Sequence, residues 1–205
     1  MLCPKCHCPI EGAEEAYICC AGETLHWRCR ACGKVSEGFA LPYGLCPLCG
    51  GALERVEAGA FDPDILVESV RTALEIELGG QAFYARAAAQ AADPVAAELF
   101  GRLAAMEEEH VALLARRYHA TLPPPPKYLP LDPAASVALQ PQAEADVAQL
   151  FRDAIGFEER ARAFYTGRAQ RAGITEAERR FYQELAAEEH EHAALIGTAF
   201  TRWKQ

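Results

Sequence analysis

The sequence predicts an all-α protein whose main part is a four-helix bundle with one long crossover, preceded by a small cysteine-rich domain. Three observations lead to this prediction. All nine cysteines lie within the first 49 of the 205 residues. The rest of the chain consists of Ala/Leu-rich helical patterns separated by helix-start signals and one proline-rich stretch. Two of the helical segments also repeat one acidic pattern.

Helix-start signals divide the predicted bundle into four helices. Asp62-Pro63 and Asp93-Pro94 each combine an N-cap residue with a proline at the first helical position. Thr175 and Glu178 have the spacing of a capping box. A bundle with one long crossover needs an extended connection, and the proline-rich stretch that begins at Thr121 supplies it. The predicted domains are 1–57 and 62–205, with helices over 62–91, 93–120, 143–171 and 175–203 and a crossover over 121–142.

The second and fourth predicted helices each carry a Glu and a His three residues apart. These pairs are Glu107 with His110 and Glu189 with His192. Residues at this spacing lie on one face of a helix, so each pair directs a carboxylate and an imidazole to one point. The preceding helix contributes one further carboxylate to each half, at Glu77 and Glu158. A Glu followed by Glu-x-x-His, twice over, is the pattern of a dinuclear metal site inside a four-helix bundle.

Apolar neighbours distinguish these four glutamates from the other acidic residues. Leu103, Val111 and Leu114 share the helix face of Glu107, for example. An ionised carboxylate buried in such a stripe costs several kcal/mol unless it is paired or bound to a metal. Four carboxylates and two imidazoles favour iron, or manganese, over a structural zinc, which prefers four ligands including thiolate or His. The sequence therefore predicts a pair of iron or manganese ions in the bundle.

Tyr84 and Tyr165 lie two helical turns after Glu77 and Glu158. They fall on the predicted ligand face, where a phenol would donate a hydrogen bond to a carboxylate ligand on another helix. Ordinary packing of two core aromatic residues is an equal alternative.

The repeated segments, Glu77 with Phe83-Tyr84 and Glu158 with Phe164-Tyr165, each followed by Glu-x-x-His, resemble the rubrerythrin and ferritin-like di-iron family. This resemblance covers about 62–203. It implies a di-iron carboxylate centre that reacts with hydrogen peroxide or dioxygen, a homodimer, and a reductase fed by a nicotinamide cofactor as electron donor. Conventional rubrerythrins carry an additional Glu where this chain has Ala161, so the ligand set is closer to the symmetric bacterioferritin type.

Two Cys-x-x-Cys knuckles in the N-terminal domain predict a tetrahedral four-thiolate site. They are Cys29 with Cys32 and Cys46 with Cys49, each followed by a glycine that permits a tight turn. With Glu37-Gly38 and Pro42, they resemble the short rubredoxin module of rubrerythrins, and their position before the bundle resembles the reverse-rubrerythrin order. The thiolates suit a redox iron or a structural zinc, as in a zinc ribbon, and the sequence leaves this choice open.

The remaining cysteines suggest a second metal site in the same domain. Cys3 and Cys6, with Cys19 or Cys20 and His26, would complete it, leaving Cys8 as a spare thiol. A cross-braced arrangement like that of RING modules, in which alternate ligand pairs bind the same ion, would divide the cysteines differently between two ions. One ion would then bind Cys3, Cys6, Cys29 and Cys32, and the other His26, Cys46, Cys49 and Cys19 or Cys20.

Composition narrows the cellular setting. Cys-x-x-Cys pairs on an otherwise cysteine-free chain favour metal binding in a reducing compartment, and no secretory signal precedes them, so we expect a cytoplasmic protein. The net charge of −9 argues against a nucleic-acid surface. No apolar stretch reaches the roughly 18 residues that a membrane span needs.

Three functions are consistent with these features. The first is an oxidoreductase of rubrerythrin type that reduces hydrogen peroxide, or dioxygen, with electrons supplied through the four-thiolate site. The second is an iron-handling protein with ferroxidase chemistry and a structural zinc domain. The third is a non-catalytic module whose zinc domain binds a partner protein.

Overall fold

The computed structural model describes residues 26–37, 45–56, 65–124 and 146–205. Its internal contacts divide the chain into two compact units, Met1–Ala60 and Phe61–Gln205. The described part of the first unit contains β1 (His26–Cys29), β2 (Val35–Glu37) and β3 (Leu53–Val56). The described part of the second contains α1 (Val67–Gln90), α2 (Pro94–Arg117), α3 (Val147–Ala169) and α4 (Glu176–Trp203). The prediction of a mostly helical chain with a small cysteine-bearing region is confirmed.

The strands form a small antiparallel sheet with β1 in the middle. The order is β2-β1-β3, and His26 pairs with Glu37 on one side and with Val56 on the other. At the other end of β1, Cys29 pairs with Leu53. The sheet therefore brings the first cysteine knuckle, which follows β1, beside the second knuckle, which precedes β3.

Capping side chains begin three of the four helices. The carboxylate of Asp93 accepts a hydrogen bond from the Ala96 backbone N–H at 2.8 Å, and Pro94 occupies the first helical position. Thr175 Oγ1 accepts from the Glu178 N–H at 3.1 Å. The predicted starts of α2 and α4 are confirmed. Asp146, which the sequence analysis did not single out, caps α3 through the Gln149 N–H at 2.6 Å.

The predicted start of the first helix was wrong. Helix α1 begins at Val67 after an extended Leu66 that makes no side-chain capping bond, and Asp62 and Pro63 lie outside the described residues. The predicted helices α2 and α3 were also longer than the observed ones. Helix α2 stops at Arg117, because the chain turns at Tyr118 and His119 enters the left-handed region with a φ of 48°. Helix α3 occupies only 147–169 of the predicted 143–171.

The helices pack as two pairs, α1 with α2 and α3 with α4, and α1 also contacts α3. Their apolar faces form one core in which Tyr84, Tyr165, Phe100 and Phe151 are almost wholly buried. The predicted crossover at 121–142 lies largely outside the described residues. None of the described helices combines the length and apolar character needed to cross a membrane.

Candidate metal centres

The six predicted ligands of the bundle come together in its core. Glu77 lies on α1, Glu107 and His110 on α2, Glu158 on α3, and Glu189 and His192 on α4. All four carboxylates are buried, with between 0% and 3% of their surface exposed. Each of these carboxylates therefore lies in an apolar stripe that faces the bundle core. Their apolar neighbours in the sequence had predicted this burial.

The Glu107 carboxylate faces both histidines. Its Oε1 is 3.4 Å from Nδ1 of His192, and its Oε2 is 3.7 Å from Nδ1 of His110. The two imidazole rings are parallel, with centroids 5.2 Å apart. One carboxylate therefore presents an oxygen to each of two neighbouring positions, which is the arrangement of a ligand that bridges two ions.

The ligand atoms form two groups that share Glu107. Within each group the atoms lie within 4.8 Å of one another. The first group also contains Glu77, whose Oε2 is 3.4 Å from His110 Nδ1. In the second group, Glu189 Oε2 is 3.5 Å from His192 Nδ1. The groups are Glu77, Glu107 and His110, and Glu107, Glu158, Glu189 and His192.

Three atoms of the cluster test whether cations fit there. Glu107 Oε1, Glu158 Oε2 and His192 Nδ1 are buried and have no hydrogen-bond partner among the described residues. An orphaned buried polar atom costs about 1–3 kcal/mol, and more when the group is charged. Four ionised carboxylates carry a charge of −4, which two divalent cations would balance. The donor set therefore fits a pair of hard or borderline metal ions.

Without metal, the cluster holds protons instead. Burial raises the pKa of Glu189 well above its usual value, and the nearby Glu158 and Glu77 carboxylates raise it further. Burial lowers the pKa of His110, but the adjoining Glu107 and Glu77 outweigh it and bring the pKa to about 11. The pKa of His192 is also raised, because three carboxylates surround its ring against the opposing effect of burial. A proton on each histidine therefore partly substitutes for the positive charge of a cation.

Both tyrosines bind carboxylates of the opposite helix pair. Tyr165 on α3 donates a hydrogen bond to Glu77 Oε1 at 3.1 Å, and Tyr84 on α1 donates to Glu158 Oε1. Both side chains are fully buried, which together with the adjoining carboxylates raises their pKa well above 10. Of the two sequence-based alternatives, hydrogen bonding to a predicted ligand is therefore the one observed. Each phenol thus fixes one carboxylate oxygen, and the second oxygen of Glu77 lies 3.4 Å from Nδ1 of His110.

Gly80 belongs to the site, although the sequence analysis did not identify it. A Cβ atom at this position would lie 3.3 Å from Cδ of Glu107 and 3.2 Å from the Phe157 ring. The missing side chain therefore gives the Glu107 carboxylate room beside α1. The sequence did contain a signal for this role. Two glycines, Gly79 and Gly80, destabilise the interior of a helix, so their presence implies that another part of the protein approaches the helix closely there.

The four knuckle cysteines form a second candidate metal centre in the first unit. Their sulfur atoms all lie within 4.8 Å of one another. Cys29 Sγ is 3.5 Å from Cys49 Sγ, and Cys32 Sγ is 3.7 Å from Cys46 Sγ. A tetrahedral ion with metal–sulfur bonds of about 2.3 Å needs sulfurs about 3.8 Å apart. The thiols are therefore arranged around a space that suits one four-coordinate ion.

Tight backbone turns position the four cysteines, as the glycine after each knuckle led us to predict. Gly33 and Gly50 have φ angles of 82° and 73°, and each donates its N–H to the carbonyl of the first cysteine of its knuckle. The N–H of Ala31 points at Cys29 Sγ, and that of Gly51 at Cys49 Sγ, both at 3.4 Å. Burial raises the pKa of Cys29, but hydrogen bonds from the backbone and neighbouring thiols outweigh it and lower the pKa to about 7. The turn thus favours the thiolate form at Cys29, whereas burial raises the pKa of Cys32 in the same knuckle.

The grouping of the cysteines contradicts the cross-braced alternative. That arrangement would assign Cys29 and Cys32 to one ion and Cys46 and Cys49 to another, whereas all four surround one point. His26 lies on β1 and does not belong to this group. Its predicted partners Cys3, Cys6 and Cys19, together with Cys20 and Cys8, lie outside the described residues, so the second cysteine site remains a prediction.

Comparisons of the chain with protein-family models, curated proteins and solved structures find no match. The function is therefore inferred from the chemistry of the two candidate centres.

Proposed function

We propose that the protein is a non-haem di-iron oxidoreductase of rubrerythrin type that reduces hydrogen peroxide, or dioxygen, in a ferritin-like bundle with one long crossover. The position of Glu107 supports this proposal most strongly. A buried carboxylate with one oxygen 3.4 Å and the other 3.7 Å from two different histidine nitrogens has the form of a bridge between two ions. A site for a single structural ion would not need a second imidazole beside the other oxygen of this carboxylate.

The six bundle residues would hold the two ions. His110 and Glu77 serve one position, His192, Glu158 and Glu189 serve the other, and Glu107 is common to both. When bound, two ferrous ions would supply the two electrons that, with two protons, convert one hydrogen peroxide to two molecules of water. Carboxylate ligands are suited to this role because they tolerate a change in the charge of the ions they bind.

The surrounding residues orient the ligands and exclude solvent. Tyr84 and Tyr165 hold Glu158 and Glu77 by hydrogen bonds, so these carboxylates keep their direction when the charge at the centre changes. Phe83, Phe157 and Tyr84 pack against one another on α1 and α3, with ring centroids 5.2–6.1 Å apart. We infer that these buried rings keep water away from the Glu158 carboxylate, which Tyr84 contacts.

The four-thiolate centre would return electrons to the bundle site. Iron held by four thiolates exchanges one electron at a time, whereas zinc in the same ligands has no redox chemistry. We propose iron at Cys29, Cys32, Cys46 and Cys49, a reductase that uses a nicotinamide cofactor as the donor, and a homodimer as the working assembly. Neither nucleic acid nor a membrane is part of the proposal.

Metal analysis of the purified protein, combined with two variants, tests the proposed function. We expect roughly three irons per chain, a coloured thiolate–iron centre and turnover of hydrogen peroxide. Glu107→Ala and Glu189→Ala should each abolish oxidation of ferrous iron by peroxide and leave the helical circular dichroism nearly unchanged. Glu109→Ala, which alters an exposed residue of α2, is the matched control and should behave like the native protein.

Unchanged iron oxidation in both ligand variants would refute the di-iron centre. Two irons with zinc in the cysteine site, together with ferrous oxidation but no peroxide turnover, would instead support the ferroxidase alternative.

A further inference from the structure

A small cavity lies between α2 and α4 beside His110. Its volume is about 30 Å³, and we call it the His110 groove. Leu113 and Arg117 line it from α2, and Phe181, Glu184 and Leu185 line it from α4. His110 is itself part of the lining, so the groove reaches a predicted ligand of the bundle centre.

The two histidines differ in their access to solvent. The side chain of His110 is 21% exposed, and that of His192 only 3%. Among the lining residues, Leu113 is 40% exposed, whereas Phe181 and Leu185 are 2% and 3% exposed. The groove therefore leads from the surface of the bundle, past buried apolar walls, to the His110 side of the cluster.

An ion pair holds the far wall of the groove in place. Arg117 Nη1 donates to Glu184 Oε2 at 2.9 Å, and the two side chains are only 24% and 6% exposed. A charge-assisted bond in such a shielded position is stronger and less mobile than a surface pair. It ties α2 to α4 two turns beyond His110, so the width of the groove is set by fixed side chains.

The volume limits what the groove admits. A cavity needs about 10–15 Å³ on this measure for each water-sized molecule, so about 30 Å³ accommodates hydrogen peroxide, with its two oxygen atoms, and little more. We propose that the His110 groove is the route by which hydrogen peroxide reaches the bundle centre, and that Leu113 and the Arg117–Glu184 pair set a size limit excluding organic hydroperoxides. This inference rests on the proposed function.

Nitric oxide, a neutral diatomic molecule, is a suitable probe because its binding is measured without turnover. The test is the rate constant for nitric oxide binding to the ferrous-loaded protein, followed by stopped-flow absorbance. Leu113→Trp should narrow the groove and lower this rate constant by roughly tenfold, as expected when access limits binding. Leu195→Trp is the matched control, because Leu195 on α4 is 45% exposed and does not line the groove. It should bind nitric oxide at the native rate.

The converse variant tests the size limit. Leu113→Ala should accelerate oxidation of the ferrous centre by tert-butyl hydroperoxide and leave oxidation by hydrogen peroxide within about twofold of native. A native nitric oxide rate in Leu113→Trp at full iron content would overturn the inference and leave the proposed function standing. Native protein that binds no bundle iron would overturn the proposed function, and with it this inference.

Discussion

Glu107 and its neighbours show how single residues determine the metal centre. The Glu107 carboxylate can face both His110 and His192 because α1 has no side chain at Gly80. The sequence identified the ligands themselves, since a Glu and a His that are three residues apart lie on the same face of a helix. The space that Gly80 leaves depends on contact between two helices, so the pattern of one helix did not reveal it.

Substituting this glycine should weaken iron binding. In Gly80→Ala, the new Cβ would lie 3.3 Å from Cδ of Glu107 and 3.2 Å from the Phe157 ring, so these two side chains must shift by a few tenths of an ångström. We expect iron affinity, measured by equilibrium titration, to fall by about tenfold, the lower end of the effect of disturbing a ligand's support.

Gly101→Ala is the control for this substitution. No atom lies within 4 Å of a Cβ placed at Gly101 in α2, so this change should stabilise the helix by about 0.5–1 kcal/mol and leave iron binding unchanged. Native affinity in Gly80→Ala would show that Glu107 does not need the space beside α1.

The two phenols should act on metal affinity more than on the fold. Tyr165→Phe removes the hydrogen bond to Glu77 and keeps the ring, so we expect iron affinity to fall about 10- to 100-fold. Tyr182→Phe is the control, because Tyr182 is also buried and stacks on Tyr165 but is not hydrogen-bonded to a ligand carboxylate among the described residues. Equal affinities in the two variants would contradict a supporting role for Tyr165.

At the scale of the element, sequence predicted two of the three helix starts at which a side chain caps the backbone and missed the third, Asp146. Asp93 and Thr175 accept the bonds that their positions implied. The start of α1 was misjudged because Asp62-Pro63 has the form of a cap, whereas the observed N-cap residue is Leu66, which contributes no side-chain bond. Tertiary contacts such as Ser69 Oγ donating to Glu178 Oε1 at 2.7 Å tie α1 to α4 near these ends, and such contacts are not visible in local sequence.

Loss of the Thr175 cap should destabilise the bundle. Thr175→Ala removes the acceptor of the Glu178 N–H, and we expect the free energy of unfolding in denaturant to decrease by about 1 kcal/mol. Thr198→Ala is the control, since Thr198 is exposed within α4 and its hydroxyl only donates to the Ala194 carbonyl. A decrease of the same size in both variants would mean that capping is not the cause.

At the scale of the whole molecule, the internal repeat allowed the two groups of bundle ligands and the order of the helices to be predicted. Three features could not be predicted. The His110 groove depends on how side chains of α2 and α4 meet, and the choice among cysteine pairings depends on the β1–β3 register. The protons held by the metal-free cluster depend on how many carboxylates surround each histidine.

These protons couple metal binding to pH. The folded-state pKa of His110, about 11, lies above the ordinary 6.5, so its contribution to metal-free stability is present below pH 6.5 and lost as the pH rises through about 11. A metal needs the unprotonated nitrogen. Binding near pH 7 should therefore release at least one proton, and affinity should tighten about tenfold per pH unit for each proton released. Calorimetry of Mn²⁺ binding in buffers of different ionisation enthalpy measures this release, and identical heats in all buffers would contradict it.

Anomalous diffraction at the iron edge, from crystals of the iron-loaded protein, tests the central claim most directly. We predict two iron peaks in the bundle, about 3.5–4 Å apart, with one oxygen of Glu107 directed at each, and with His110 beside one peak and His192 beside the other. Crystals with full iron content and no peak within bonding distance of Glu107, or with these carboxylates turned outward to solvent, would contradict the account.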